Sequence, residues 1–193
     1  GGGQPYEVYL QVVEEIASAW MSVAVGVSVH SLTAFPVTTF GSPAQREALL
    51  PGVLSGHQLG AYGLSEPLAG SDVAALATRA ERTADGWRLH GEKTWISNGG
   101  IADFYCLFAK TDVDAGSRGI SAFIVDAGTP GLDDRHALAV MSPHPLATLT
   151  LRECLVPAHA LLGSQGAGFK LAMEISAYSL IAMAKRAEPL MTE

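Results

Sequence analysis

No Asp, Glu, Lys or Arg stands between Glu15 and Arg46, and this charge-free run limits the possible folds more than any other feature. It exceeds the roughly 20 apolar residues that a membrane-spanning helix needs. Ser18, Ser22, Ser28, His30, Ser31 and Thr33 interrupt it, however, and no basic flank orients it. It therefore reads as a helix buried in protein rather than a membrane span. The spacing of Tyr9, Val13, Ile16, Trp20, Val23 and Val27 predicts one long helix from residue 6 to about 33. Beyond Ala17 that helix is apolar and small all round, which calls for covering helices that this sequence does not contain.

A second, short helix is expected over residues 42–54, with Ser42 as N-cap and Pro43 at the first helical position. From residue 59 to about 161 the texture changes to short apolar runs separated by turn residues. Asp85-Gly86, between residues 77–83 and 87–89, signals a hairpin. Residues 104–109, 120–125 and 146–151 are further strand candidates, the last alternating Thr148, Thr150 and Arg152 against Leu149 and Leu151. After the Gly-rich stretch 163–168, Phe169, Met173, Ser176, Leu180 and Met183 return to helical spacing, and Pro189 ends it. The fold class expected is α+β: a helical segment, a small antiparallel barrel or sandwich, then the first helix of a further helical domain.

Composition narrows the function. A hydrophobic content of 48% with 16% charged residues describes a well-buried chain and argues against disorder. A formal net charge of −7 with scattered basic residues argues against nucleic-acid binding. Cys106 and Cys154 lie in apolar runs without metal-ligand spacing and read as buried free thiols in a reducing, cytoplasmic compartment. No basic stretch of a secretory signal is seen, and the opening Gly-Gly-Gly without Met is not expected to be a translation start. His30, His57, His90, His136, His144 and His159 show no pairing that would hold a metal, and His30 is expected to be a satisfied core histidine.

The chemistry is concentrated in two segments. Tyr62-Gly-Leu-Ser-Glu-Pro-Leu-Ala-Gly-Ser-Asp72 is an apolar strand end that runs into a loop of Ser65, Pro67, Gly70 and Ser71. Such a loop exposes backbone N–H groups and hydroxyls around a concave surface that can bind an anionic or electron-accepting ring edge. Trp95-Ile-Ser-Asn98 adds a flat indole and the hydroxyl of Ser97. Together they form a candidate cradle for a planar cofactor, with Trp95 stacking and Leu64, Ser65 and Ser97 hydrogen-bonding. The simpler alternative is a turn with a core tryptophan. Glu66 and Asp72 are read as loop-shaping acids, since a carboxylate beside a turn more often caps backbone N–H groups than acts as a base.

These two segments resemble the flavin signature of the acyl-CoA dehydrogenase family, with Ser65 and Ser97 where members usually show Thr. The resemblance extends to Phe40-Gly-Ser-Pro-Ala-Gln-Arg46 and Leu50-Pro51 before them. After them it includes Gly119-Ile-Ser-Ala-Phe-Ile-Val125, Thr129-Pro-Gly-Leu132, Cys154-Leu-Val-Pro157, Leu161-Leu-Gly163 and Gly168-Phe-Lys-Leu-Ala-Met173. It implies FAD as cofactor, an acyl-CoA thioester as substrate, and α,β-dehydrogenation in which a carboxylate takes the α-proton and flavin N5 the β-hydride. It also implies an electron-accepting flavoprotein as partner and a homo-oligomer. By resemblance the cofactor positions are Tyr62, Gly63, Leu64, Ser65, Gly70, Ser71, Trp95, Ile96 and Ser97, with Ser71 also meeting the acyl-CoA.

The domains so implied are 1–57, a helical N-terminal segment; 58–162, the middle β-domain; and 163–193, the start of a C-terminal helical domain. The chain thus looks like an incomplete member. Two departures stand out. No residue matches the family's catalytic Glu, Ser179 standing near one of its known places, so the base is unassigned. Val140-Met-Ser-Pro-His-Pro145 also replaces the usual Gly- and Arg-containing pattern before the last strand. A flavin-dependent oxidase or monooxygenase on the same scaffold, or a non-catalytic chain, are the alternatives.

Overall fold

The computed structural model describes residues 3–141 and 144–176. Helix α1, Tyr6–Phe40, is broken at Trp20, whose φ −155° and ψ 92° are non-helical. It runs past the predicted end near residue 33 and carries Pro36 through its last turns. Pro36 removes one backbone bond, but Pro36 and Val37 are buried there, and packing outweighs that loss. Of the rest of α1 only Ala24 and Thr33 are buried, and Trp20, Met21 and Val23 are exposed. By length and hydropathy alone α1 could cross a membrane. The covering expected of it is not supplied by the described residues.

Helix α2, Pro43–Ser55, begins as predicted: Ser42 Oγ accepts from Gln45 N–H, and the Gln45 side chain accepts from Ser42 N–H, a reciprocal capping box. The Gln45 amide also donates to the carbonyls of His159 at 2.8 Å and Leu161 at 3.1 Å, which fastens α2 to the far end of the β-domain.

The strands are β1 (Gly60–Gly63), β2 (Arg79–Arg82), β3 (Gly86–Ser97), β4 (Phe104–Lys110), β5 (Ile120–Asp126), β6 (Leu132–Ala137), β7 (Leu146–Pro157) and β8 (Leu161–Leu162). The sheet order is β6-β7-β3-β2-β4-β5-β8, with β1 beside β4. Most pairs are antiparallel, as expected, but β1 and β2 both pair with β4 in parallel. The hairpin at Asp85-Gly86 forms, with Arg82 opposite Trp87.

Strand β4 organises two cores because successive side chains point to opposite faces. Tyr105, Leu107 and Ala109 pack with Trp87, Leu89, Ile96, Phe123, Leu149 and Leu151 on one face. Cys106 and Phe108 face Leu171, Ala172 and Ile175 of a helix over 168–176, with Leu32 and Phe35 of α1 alongside. Both cysteines are free and buried, and burial pushes the Cys106 thiol up to about 12 and that of Cys154 up to about 11, so neither is nucleophilic near neutrality. The predicted helix residues Leu180, Met183 and Pro189, and Ser179, lie outside the described residues.

Candidate functional site

Strand β1 delivers the chain into the loop at residue 64, and four hydrogen bonds fix that loop's path. Glu66 and Ala69 exchange backbone bonds at 3.0 and 3.2 Å, closing a tight turn that leaves Leu68 fully out in solvent. The Glu66 carboxylate points back inward and accepts from the N–H groups of Ala77 at 2.6 Å and Thr78 at 3.1 Å. It is therefore engaged in shaping the loop, as a carboxylate beside a turn commonly is.

Beneath the turn lies Lys93, fully buried at 0% side-chain exposure. Its Nζ donates to Glu66 Oε1 at 2.7 Å and to the Leu64 carbonyl at 3.2 Å. Burial pushes the Lys93 ammonium down to about 8 against the pull of Glu66. Burial also works to raise the Glu66 carboxyl, but the Lys93 charge and the Ala77 and Thr78 donors hold it below its ordinary value. Sequence reasoning passed over Lys93. Its signal was present: Trp87, Leu89, Gly91 and Lys93 share strand parity, so Lys93 occupies a core-facing position of β3.

The second segment is shaped by a bulge. Lys93 pairs with Leu149 and Ile96 with Ala147, so Thr94 and Trp95 together oppose Thr148 alone. Trp95 takes the left-handed φ of 59° and its indole is 61% exposed, while Ile96 returns to the core. A bulky residue at positive φ is a genuine outlier. Thr94 holds it there, its hydroxyl 3.0 Å from that of Thr148 and its N–H donating to the Ser65 carbonyl at 3.0 Å. That last bond joins the two predicted segments directly.

The turn that follows is pinned as well. Asn98, at φ 63°, donates through Nδ2 to the carbonyls of Gly26 at 3.1 Å and Gly60 at 3.2 Å, tying α1, β1 and the end of β3 together. His30 is satisfied at both ring nitrogens: Gly60 N–H donates to Nδ1 at 3.1 Å, so Nε2 carries the proton given to the Val53 carbonyl at 3.0 Å. It is a structural histidine, as expected. Among the described residues no cluster of His, Cys, Asp or Glu could hold a metal.

The predicted residues thus divide. Ser65, Trp95 and Ser97 are brought together by the Thr94–Ser65 bond, with Leu64 beside them and Gly70 and Ser71 exposed further along the loop. Ile96 and Tyr62 turn their side chains away: Ile96 into the first core, Tyr62 into the second, 5.2 Å edge-on from Phe108. The Tyr62 hydroxyl is buried without a hydrogen-bond partner among the described residues, and burial raises its pKa well above the usual phenol range. The arrangement suits a planar aromatic cofactor. An exposed indole is locked outward on a strained bulge beside two half-buried hydroxyls, Ser65 and Ser97. A turn with a core tryptophan would have buried that indole, so the simpler alternative is set aside for Trp95.

The acyl-CoA dehydrogenase N-terminal domain model matches residues 1–57 and the acyl-CoA dehydrogenase middle domain model matches residues 61–154. The chain belongs to the acyl-CoA dehydrogenase family. The short-chain-specific acyl-CoA dehydrogenase of Megasphaera elsdenii is 43% identical over 169 residues, covering 86% of this chain and 44% of that protein. The solved structure of butyryl-CoA dehydrogenase from Megasphaera elsdenii aligns with a TM-score of 0.83 at 39% identity, covering 93% of this chain and 48% of that one. The prolyl acyl carrier protein oxidase AnaB aligns with a TM-score of 0.71 at 33% identity, covering 74% of this chain and 39% of that one. The chain spans under half the length of these relatives.

Proposed function

We propose that this chain forms the flavin-binding part of an FAD-dependent oxidoreductase that introduces an α,β double bond into an acyl-CoA thioester. The observation that supports the reading is the Thr94 N–H to Ser65 carbonyl bond of 3.0 Å, which ties the segment carrying Trp95 and Ser97 to Ser65. In this reading the Trp95 indole stacks against the ring system. The Ser65 hydroxyl and the Leu64–Ser65 backbone donate to the ring edge where negative charge develops, and donors fixed beforehand stabilise such charge without reorganising. The Ser97 hydroxyl approaches N5 of the ring, and Ser71 meets the acyl-CoA. The role of FAD, when bound, is to accept the hydride.

The base remains unassigned. Glu66 is committed to Lys93, Ala77 and Thr78. Glu174 lies on the helix over 168–176, 3.6 Å from Lys170. An electron-accepting flavoprotein as partner and a homo-oligomeric assembly belong to the same proposal. The similarity to a prolyl acyl carrier protein oxidase favours a second reading, in which the same loops serve an oxidase that passes electrons to oxygen.

The test is to add FAD to residues 1–193, measure binding, and follow flavin bleaching by a panel of acyl-CoA esters without oxygen. FAD binding with slow or absent bleaching is expected, because a positioned base is commonly worth about 10²–10⁴-fold in rate. Failure to bind FAD refutes the reading. Bleaching at the rate of a complete dehydrogenase refutes the absence of a base, and rapid reoxidation by oxygen would favour the oxidase.

A further inference from the structure

Ser97 Oγ lies 3.2 Å from His144 Nε2. His144 belongs to the connection between β6 and β7, where the sequence departs from the family pattern. The two residues that follow His144 are fixed against β3: Ser97 pairs with Leu146 in the β3–β7 ladder, and Asn98 N–H donates to the Pro145 carbonyl at 2.9 Å. Pro145 also fixes its own φ. The imidazole is thus delivered to the hydroxyl by backbone pairing of the two residues that follow it, and Ser97 and His144 are both half-buried.

We propose that His144 is a positioning residue that sets the direction of the Ser97 hydroxyl, its Nε2–H donating to Ser97 Oγ so that the hydroxyl proton faces the surface shared with Trp95. The proposal rests on the flavin reading above. A Thr side chain is stiff at χ1 because of its branched β-carbon. Ser97 has no such methyl and can occupy any of the three staggered positions, so without a partner it would present its hydroxyl correctly about one third of the time. The hydrogen bond from His144 replaces the steric constraint that Thr would provide. It also decides polarity. A hydroxyl that accepts from His144 keeps its own proton for a ligand atom with a free lone pair, whereas one that donates to His144 offers only lone pairs.

Two measurements test this on the full chain. Long-range ¹H–¹⁵N spectra of the protein without FAD should show His144 as the Nε2-protonated tautomer, with its ring nitrogens shifting in Ser97→Ala. An Nδ1-protonated ring overturns the assigned direction, since Nε2 would then accept from the Ser97 hydroxyl, and a ring indifferent to Ser97→Ala overturns the contact itself, whatever the protein's cofactor. FAD titration should then give binding about threefold weaker for His144→Ala, the factor set by three rotamer wells. Parent affinity should return both in His144→Gln, which keeps an N–H donor, and in His144→Ala/Ser97→Thr, which restores the branched side chain. A purely structural role for His144 would not be rescued by a methyl on residue 97, so absence of that rescue overturns the positioning role. A parent protein that takes no FAD refutes the flavin reading, and the flavin-directed half of this proposal with it, while the spectra still judge the contact.

Discussion

The Glu66–Lys93 pair is the most consequential contact under the candidate site, and its removal has a calculable asymmetry. Breaking a buried ion pair by deleting one partner costs about 3–5 kcal/mol, because the other charge is left uncompensated. In Lys93→Met the Glu66 carboxylate keeps two backbone donors, at 2.6 and 3.1 Å, so the loss should fall near the lower limit, about 3 kcal/mol. In Glu66→Leu the buried ammonium keeps only the Leu64 carbonyl at 3.2 Å. The Thr78 N–H is also stripped of its acceptor in the interior, which adds roughly 1–3 kcal/mol of unmet hydrogen bonding. That variant should reach about 5 kcal/mol. The double variant Glu66→Leu/Lys93→Met leaves no stranded charge, so its cost should fall short of the sum by about 2 kcal/mol, within the range seen for residues in contact. Urea unfolding at neutral pH, followed by tryptophan fluorescence, gives all four corners of the cycle. Additivity within about 0.5 kcal/mol would refute the reasoning, as would Lys93→Met proving more damaging than Glu66→Leu.

Trp95→Ala should leave unfolding nearly unchanged, since the indole is 61% exposed, but should weaken FAD binding by about 1 kcal/mol or more through lost stacking; equal retention of FAD would remove Trp95 from the site. Ser65→Ala should weaken FAD binding by roughly 1–3 kcal/mol if a ring atom is left unpaired, whereas Ser65→Thr should be nearly silent; equal damage from both would indicate packing. Glu66 is held below its ordinary 4.5 in the folded chain, so its contribution to stability is present above that pH and is lost as pH falls through the folded value. The acid limb of a stability–pH curve should therefore flatten in Glu66→Gln, and an unchanged limb would assign the acid sensitivity elsewhere.

Much of this architecture was legible where one local rule acted alone. Ser42-Pro43-Ala44-Gln45 announced a helix start, Asp85-Gly86 a hairpin, and the Phe104–Lys110 strand an apolar run buried on both faces. Legibility failed where two rules competed. Strand β7 continues past Leu151 because a bulge at Glu153, φ 52°, absorbs the break in alternation. Strand β6 offers little apolar pattern because it lies at the sheet edge with mostly exposed residues. The parallel pairing of β1 with β4 carries no local signal at all. Within the site, residue types were readable from sequence, but their directions were not. Ile96 and Trp95 are neighbours with opposite fates, and only the bulge, set by pairing with distant β7, decides which of them faces out.

That bulge explains why so short a segment can act as a preformed surface. Trp95 and Asn98 both sit in the left-handed region, at φ 59° and 63°, each at a cost of roughly 1–2 kcal/mol for a residue with a β-carbon. Such strain persists only where surrounding bonds over-determine it. Here Thr94 is held by Ser65 and Thr148, Asn98 by Gly26 and Gly60, and Ile96 between them is anchored in the core. Relaxing Trp95 toward ordinary strand geometry would bring its indole inward and slide Ile96 out, since one residue of slip reverses every side chain. The chain therefore trades two strained residues for an indole that cannot fold back onto its own core. On the flavin reading proposed above, a flat, exposed aromatic held at that cost near Ser65 and Ser97 would receive a ring without first reorganising.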